Sequence, residues 1–326
     1  MTTSSSLDGL QRWLSHQAED VTVELVCAEH PDPTVGDPHR TVVRLPGCAR
    51  EVAIHELLEL LQLGAARVVV RLDGCTRPDD ARAHLAPTIA LLAAGLVDTL
   101  TVDAGPGSDT PVIADPAHRG RRSRREHRRP ILDAQAMPVS RRGILGLARA
   151  TVPELPSSAC DPHDRLVSVV RALIAPTAAL ASVPAPALRL AASGCTVCGV
   201  CVQACPASAL ALRHGPAGEQ VSISTLLHDP VVCNGCSRCI DLCPEHVLVT
   251  ADRWGWDRLL VDAEVPVVTV TTARCARCST SFPVSSGERL CPVCTYRRQH
   301  PFGSMLPPGF GPAGVPGSSP LGPVPS

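Results

Sequence analysis

The cysteine pattern CxxCxxCxxxCP occurs twice, as Cys195, Cys198, Cys201, Cys205 with Pro206 and as Cys233, Cys236, Cys239, Cys243 with Pro244, every position repeating at an offset of 38 residues. A single offset kept across four cysteines marks a duplicated unit. It also restricts the fold. Cysteines at every third residue turn three thiolates into one concavity only where the backbone forms a tight loop with its amides aimed the same way. The prolines turn the chain away after each fourth cysteine, which lies past its own loop and, in this arrangement, reaches the cluster of the other half. Cys195, Cys198, Cys201 and Cys243 therefore form one set of four thiolates, and Cys233, Cys236, Cys239 and Cys205 the second. Zinc arrays place CxxC pairs on either side of a longer spacer, so zinc does not suit this run.

Sixteen cysteines in 326 residues would suggest disulfides in a small secreted chain, but twelve of them fall in CxxC-type clusters. The N-terminal residues show no signal-peptide pattern, so the expectation is metal-bound thiolates in a reducing cytoplasm. The longest apolar stretch, 172–192, is interrupted by Pro176, Pro184, Pro186 and Arg189, and supplies no span of about 20 unbroken apolar residues. A formal net charge of −1 hides an asymmetry: residues 1–105 carry 15 acids and 8 arginines, residues 106–190 carry 7 acids and 13 arginines. Unlike charges on separate segments favour mutual attraction or different partners.

Strand-like and helix-like segments alternate through the first hundred residues. Strands are expected at 21–27, 41–45, 67–72 and 97–102, and helices at 51–63 and 79–94, ending at Gly64 and Gly95. That order indicates a small parallel α/β sheet. The expected organisation is multidomain: an N-terminal α/β domain at 1–105, an Arg/Pro-rich linker at 106–192 with one short helix near 162–174, an α+β cluster domain at 193–250, a knuckle module at 251–300 and a disordered tail at 301–326.

The eight-cysteine unit resembles the bacterial-type ferredoxin family with two [4Fe-4S] clusters. The resemblance covers residues 193–250 and includes the Cys-Pro-x-x-x-Leu continuations at 205–210 and 243–248. It implies a compact α+β fold with pseudo-two-fold symmetry and one-electron transfer between neighbouring clusters. The two loops differ, with Thr196, Val197, Gly199 and Val200 in the first and Asn234, Gly235, Ser237 and Arg238 in the second. Positive charge and extra donors favour the reduced state, so the second cluster is expected at the higher potential, with Asp241 opposing the effect.

Cys275, Cys278, Cys291 and Cys294 form two CxxC knuckles separated by 12 residues. Four thiolates at that spacing suit one tetrahedral structural zinc, and the segment looks like a zinc ribbon; rubredoxin-like iron is the alternative. Arg274, Arg277, Arg289, Arg297 and Arg298 against Glu288 make the module basic, suited to docking on an acidic surface.

Three further cysteines follow predicted strands: Cys27, Cys48 in Leu45-Pro46-Gly47-Cys48, and Cys75 in Gly74-Cys75. Loops after parallel strands share one edge of the sheet, so these thiols are expected to converge. With the segment 64–70 they resemble the delta-subunit family of methyl-viologen-reducing hydrogenases, iron–sulfur adaptors between hydrogenase and heterodisulfide reductase-type partners. The resemblance implies a [2Fe-2S] site, although the family's further cysteines correspond here to His30 and Asp80. A domain that keeps buried cysteines without a cluster is the other reading.

Two signals point elsewhere. Ser140-Arg141-Arg142-Gly143 has the look of a twin-arginine export motif, but only a short apolar run follows before Arg149. Seven arginines at 119–129 suit phosphate contacts, yet no aromatic accompanies them, which disfavours nucleic acid. No catalytic arrangement or nucleotide fingerprint is visible. The expected function is electron transfer, as an adaptor subunit between oxidoreductases. The rivals are an oxidoreductase subunit with a further N-terminal redox cluster and a cluster-dependent DNA-binding regulator.

Overall fold

The computed structural model describes residues 6–17, 21–35, 37, 39–97, 99–103, 128–138, 155, 160–217, 221–261, 263–284 and 287–301. They fall into two compact units, one drawn from Met1–Arg189, Asp229–Cys236 and Asp252–Ala263, the other from Leu190–His228, Ser237–Ala251 and Glu264–Ser326.

The first unit is built on a five-stranded sheet in the order β5-β4-β1-β3-β7. Its strands are β1 (Val21–Val26), β3 (Thr41–Arg44), β4 (Ala65–Arg71), β5 (Leu100–Asp103) and β7 (Leu132–Asp133). Every neighbouring pair runs parallel. Such strands are covered on both faces and read as apolar runs; Val23, Leu25, Val43, Val68 and Val70 are all buried. A short antiparallel pair, β2 (Thr34–Val35) with β6 (Arg128–Arg129), stands beside the sheet. Helices α1 (Asp8–Leu14), α2 (Ile54–Gln62) and α3 (Pro78–Ala94) supply the covering layers. Pro78 with Asp79 and Asp80 starts α3, where a proline needs no amide partner and acids face the positive end of the helix dipole. The expected alternation is thus present within a few residues of each predicted boundary.

The described residues of 106–192 contain the short helix expected near 162–174 and, beyond the linker expectation, strands and core residues as well. The span contributes β6 and β7, then helix α4 (Pro162–Leu173), a 3₁₀ turn (Ala178–Ser182) and β8 (Pro184–Ala192). Asp161 caps α4 by accepting from the His163 amide at 2.8 Å. Val167, Val169, Val170 and Leu180 are buried in the first unit's core. The helix was legible from its own residues, whereas the strands β6, β7 and β8 were not, because the segment's many Pro and Arg residues leave no strand-like run. The arginine run at 119–127 and the twin-arginine segment at 140–142 lie outside the described residues.

Helix α4 is fixed to α2 by a buried ion pair. Arg165 donates to the Glu59 carboxylate through Nε at 2.9 Å and Nη2 at 2.7 Å, and Gln11 donates to the same carboxylate at 2.7 Å. Glu59 is fully buried. Removing one partner of such a pair leaves an unpaired buried charge, which costs about 3–5 kcal/mol. Arg165→Ala should therefore lose stability on that scale in urea unfolding; a change under about 1 kcal/mol would contradict the buried pairing.

The second unit holds a four-stranded antiparallel sheet, β13-β12-β10-β9, made of β9 (Leu210–Pro216), β10 (Val221–His228), β12 (Val265–Arg274) and β13 (Ser281–Pro283). Ser224 on β10 and Thr272 on β12, diagonal neighbours across the pair, join hydroxyls at 2.7 Å, and His214 of β9 reaches Ser224 at 2.6 Å. The segment expected as a separate module from 251 therefore shares a sheet with the cluster domain, while Trp256 and Leu259 of α7 (Trp256–Leu259) are buried in the first unit. Two single-turn helices, α5 (Val200–Ala204) and α6 (Arg238–Asp241), follow the two cysteine loops and pack together. Strands β8 and β11 (Leu248–Gly255) form a separate pair, and α8 (Pro292–Gln299) ends the described chain. The tail from 302 lies outside the described residues. Among the described residues no helix is long and apolar enough to cross a membrane.

Candidate metal centres

The two cysteine loops share one backbone. Val197 and Gly199 adopt φ of 59° and 76°, and Gly235 and Ser237, each 38 positions on, adopt 76° and 62°. Ser208 and His246 repeat the match at 56° and 51°. Hydrogen bonds repeat as well: Val202 N to Gly199 O at 3.1 Å matches Ile240 N to Ser237 O at 2.9 Å, and Ser208 N to Cys205 O at 3.2 Å matches His246 N to Cys243 O at 3.1 Å. Left-handed residues invert the peptide direction and turn successive amides inward, forming an anion-binding nest. A β-branched residue at positive φ is an outlier, so Val197 is held there by the loop and not by its own preference. Gly235 has a further reason to be glycine, since a side chain there would overlap the Pro186 carbonyl oxygen.

Within the second unit, Cys195, Cys198, Cys201 and Cys243 line one cavity together with Val197, Leu212, Leu226 and Val247. Three thiols come from the first motif and the fourth from the second. The cavity holds about 430 Å³ of space free of protein atoms, part of it open to solvent. Burial, then the neighbouring Cys195 and Cys198, push the Cys201 thiol up to about 11. At Cys243 burial also works upward, but backbone hydrogen bonds from Leu248, Val247, Glu245 and His246 outweigh it and bring the thiol below its ordinary value. The Val197 amide donates to the Cys195 sulfur at 3.4 Å. Apolar walls with inward amides and four thiols suit an anionic iron–sulfur cubane.

The other four motif cysteines are divided: Cys205 and Cys239 belong to the second unit, Cys233 and Cys236 to the first. The Ala209 amide donates to Cys205 sulfur at 3.3 Å, and Asn234 accepts from the Cys236 amide at 3.2 Å. Arg238 opens α6 and is exposed.

Cys275, Cys278, Cys291 and Cys294 place their four sulfurs within 4.8 Å of one another. The β12–β13 hairpin carries the first knuckle, and Cys291 and Cys294 stand at the cap and first turn of α8. Burial raises Cys275, but amides from Cys291, Cys278 and Arg277 more than offset it and bring it down to about 6. Burial and the surrounding sulfurs hold Cys294 at about 12. The Thr280 hydroxyl and amide lower Cys278, a contribution no sequence motif announced. The local core consists of three of these cysteines and Phe282.

Cys27, Cys48 and Cys75 also converge, their sulfurs all within 4.8 Å and the Cys48–Cys75 pair at 3.8 Å. Burial above all pushes the Cys27 thiol up to about 12. His30 and Asp80 do not join them: the His30 ring contacts the Asp73 carbonyl and the Thr34 hydroxyl, both at 2.9 Å, and Asp80 pairs with Arg77.

Residues 194–247 match the 4Fe-4S dicluster domain family. No curated protein matches the chain. The family match and the cysteine geometry together support a ferredoxin-type 4Fe-4S domain at 194–247 and an iron–sulfur electron-transfer role.

Proposed function

We propose that this protein is a one-electron relay with two [4Fe-4S] clusters, acting as an adaptor subunit between a donor and an acceptor oxidoreductase. The carrying observation is the cavity that gathers Cys195, Cys198 and Cys201 with Cys243 from the other motif. The repeated backbone of the second loop supports the matching set of Cys233, Cys236 and Cys239 with Cys205. Such clusters supply reversible one-electron transfer at potentials set by burial and hydrogen bonds to sulfur. The chain's own residues exclude water with Leu212, Leu226 and Val247 and direct amides at the thiolates. The knuckle cysteines hold zinc in a structural role. The acidic N-terminal domain, which resembles hydrogenase delta subunits, docks a hydrogenase-like or heterodisulfide reductase-like partner.

Anaerobic purification followed by iron, sulfide and zinc analysis tests the reading. About eight irons per chain are expected for two cubanes, with reduced-state EPR of interacting [4Fe-4S] centres. About four irons would exclude the second cluster, and about ten would require a binuclear cluster as well.

A further inference from the structure

The convergence of Cys27, Cys48 and Cys75 is independent of the ferredoxin-type domain. Each thiol stands just beyond the carboxyl end of a strand, β1, β3 and β4 respectively, and β1 lies between the other two in the sheet. From β1 the chain adds β3 on one side and then β4 on the other, so the order reverses around β1. In open α/β sheets such a reversal opens a crevice at the strand ends, where ligands bind. The three loops are tied to one another locally. Ala28 N donates to Gly47 O at 3.1 Å, and Gly74, at φ of 78°, leaves room for the His30 ring.

The spacing of the sulfurs selects what fits. Two thiolates each about 2.3 Å from one ion in tetrahedral directions lie about 3.8 Å apart. Cys48 and Cys75 are 3.8 Å apart, and Cys27 is within 4.8 Å of both. A binuclear cluster needs two protein ligands on each iron, four in all. His30 cannot supply the fourth while its ring nitrogens engage the Asp73 carbonyl and the Thr34 hydroxyl. Cys48 and Cys75 are only partly buried, which leaves one side of the trio for a further ligand. We infer that Cys27, Cys48 and Cys75 form a mononuclear site for a soft, thiophilic cation, with its remaining coordination position open to an exchangeable ligand.

The test uses the full chain, purified anaerobically, exposed to a small excess of Zn²⁺ and desalted. Zinc content should fall by one per chain in Cys48→Ser and in Cys75→Ser, with iron and sulfide unchanged. Because iron and sulfide report on the 194–247 domain, the two readings fail separately. A second measurement avoids any folding defect of the variants. In the unsubstituted chain, Zn²⁺ should slow N-ethylmaleimide labelling of Cys48 and Cys75 at least tenfold, read by peptide mass spectrometry, while the exposed Cys160 labels at the same rate throughout. Equal labelling with and without Zn²⁺, unchanged zinc in both variants, or loss of about two irons in place of one zinc would each overturn the inference.

Discussion

Cys243→Ser and Cys195→Ser proteins should lose the same cluster. Cys243 lies 42 residues beyond Cys201, yet it lines one cavity with Cys195, Cys198 and Cys201. Each of the two variants should fall from about eight irons to about four and lose the same set of EPR features. Cys205→Ser and Cys233→Ser should remove the complementary set. The outcome that defeats the crosswise assignment is equally clear: Cys243→Ser would then match Cys233→Ser, each motif serving its own cluster. Four amides lower Cys243 against the effect of burial. Serine keeps the volume but not the soft, easily ionised sulfur, and the effect should be close to complete.

Loss of metal from the knuckles should unfold that module. Its local core is Cys275, Cys291, Cys294 and Phe282, so the apolar area buried there is small without metal. Structural zinc contributes about 10–16 kcal/mol of apparent binding free energy at pH 7, against about 5–15 kcal/mol for the whole stability of a typical domain. In Cys291→Ser, zinc should fall by one per chain and amide exchange across 275–299 should rise by several orders of magnitude. Since the thiols must shed their protons to bind as thiolates, acidification should release the metal and alkaline conditions retain it. Protected amides in a metal-free variant would show that the sheet alone maintains the fold.

What could be read from the sequence follows from the range of each interaction. The α/β alternation was legible because β1, α2, β4 and α3 each carry their signal within a dozen residues, from β-branched runs to Pro78 and Gly95. The motif cysteines were legible because ligation fixes their spacing. Strand pairings were not: β10 meets β12 across 36 intervening residues, and nothing local in Val265–Arg274 names that partner. The docking of α4 depends on Glu59 and Arg165, 106 positions apart and each an ordinary charged residue in isolation. The left-handed loop positions were half visible. Gly199 and Gly235 suggest positive φ, whereas Val197 and Ser237 adopt it with no such hint.

The shared cavity also sets an order of events during synthesis. When a ribosome has delivered Cys195, Cys198 and Cys201, three of the four cysteines that line the cavity are present, and the fourth, Cys243, emerges only after β9, β10 and the second loop have been made. Iron offered earlier meets an unfinished binding site. On the crosswise assignment proposed above, a cluster in this cavity would have to wait for nearly the whole of the duplicated segment.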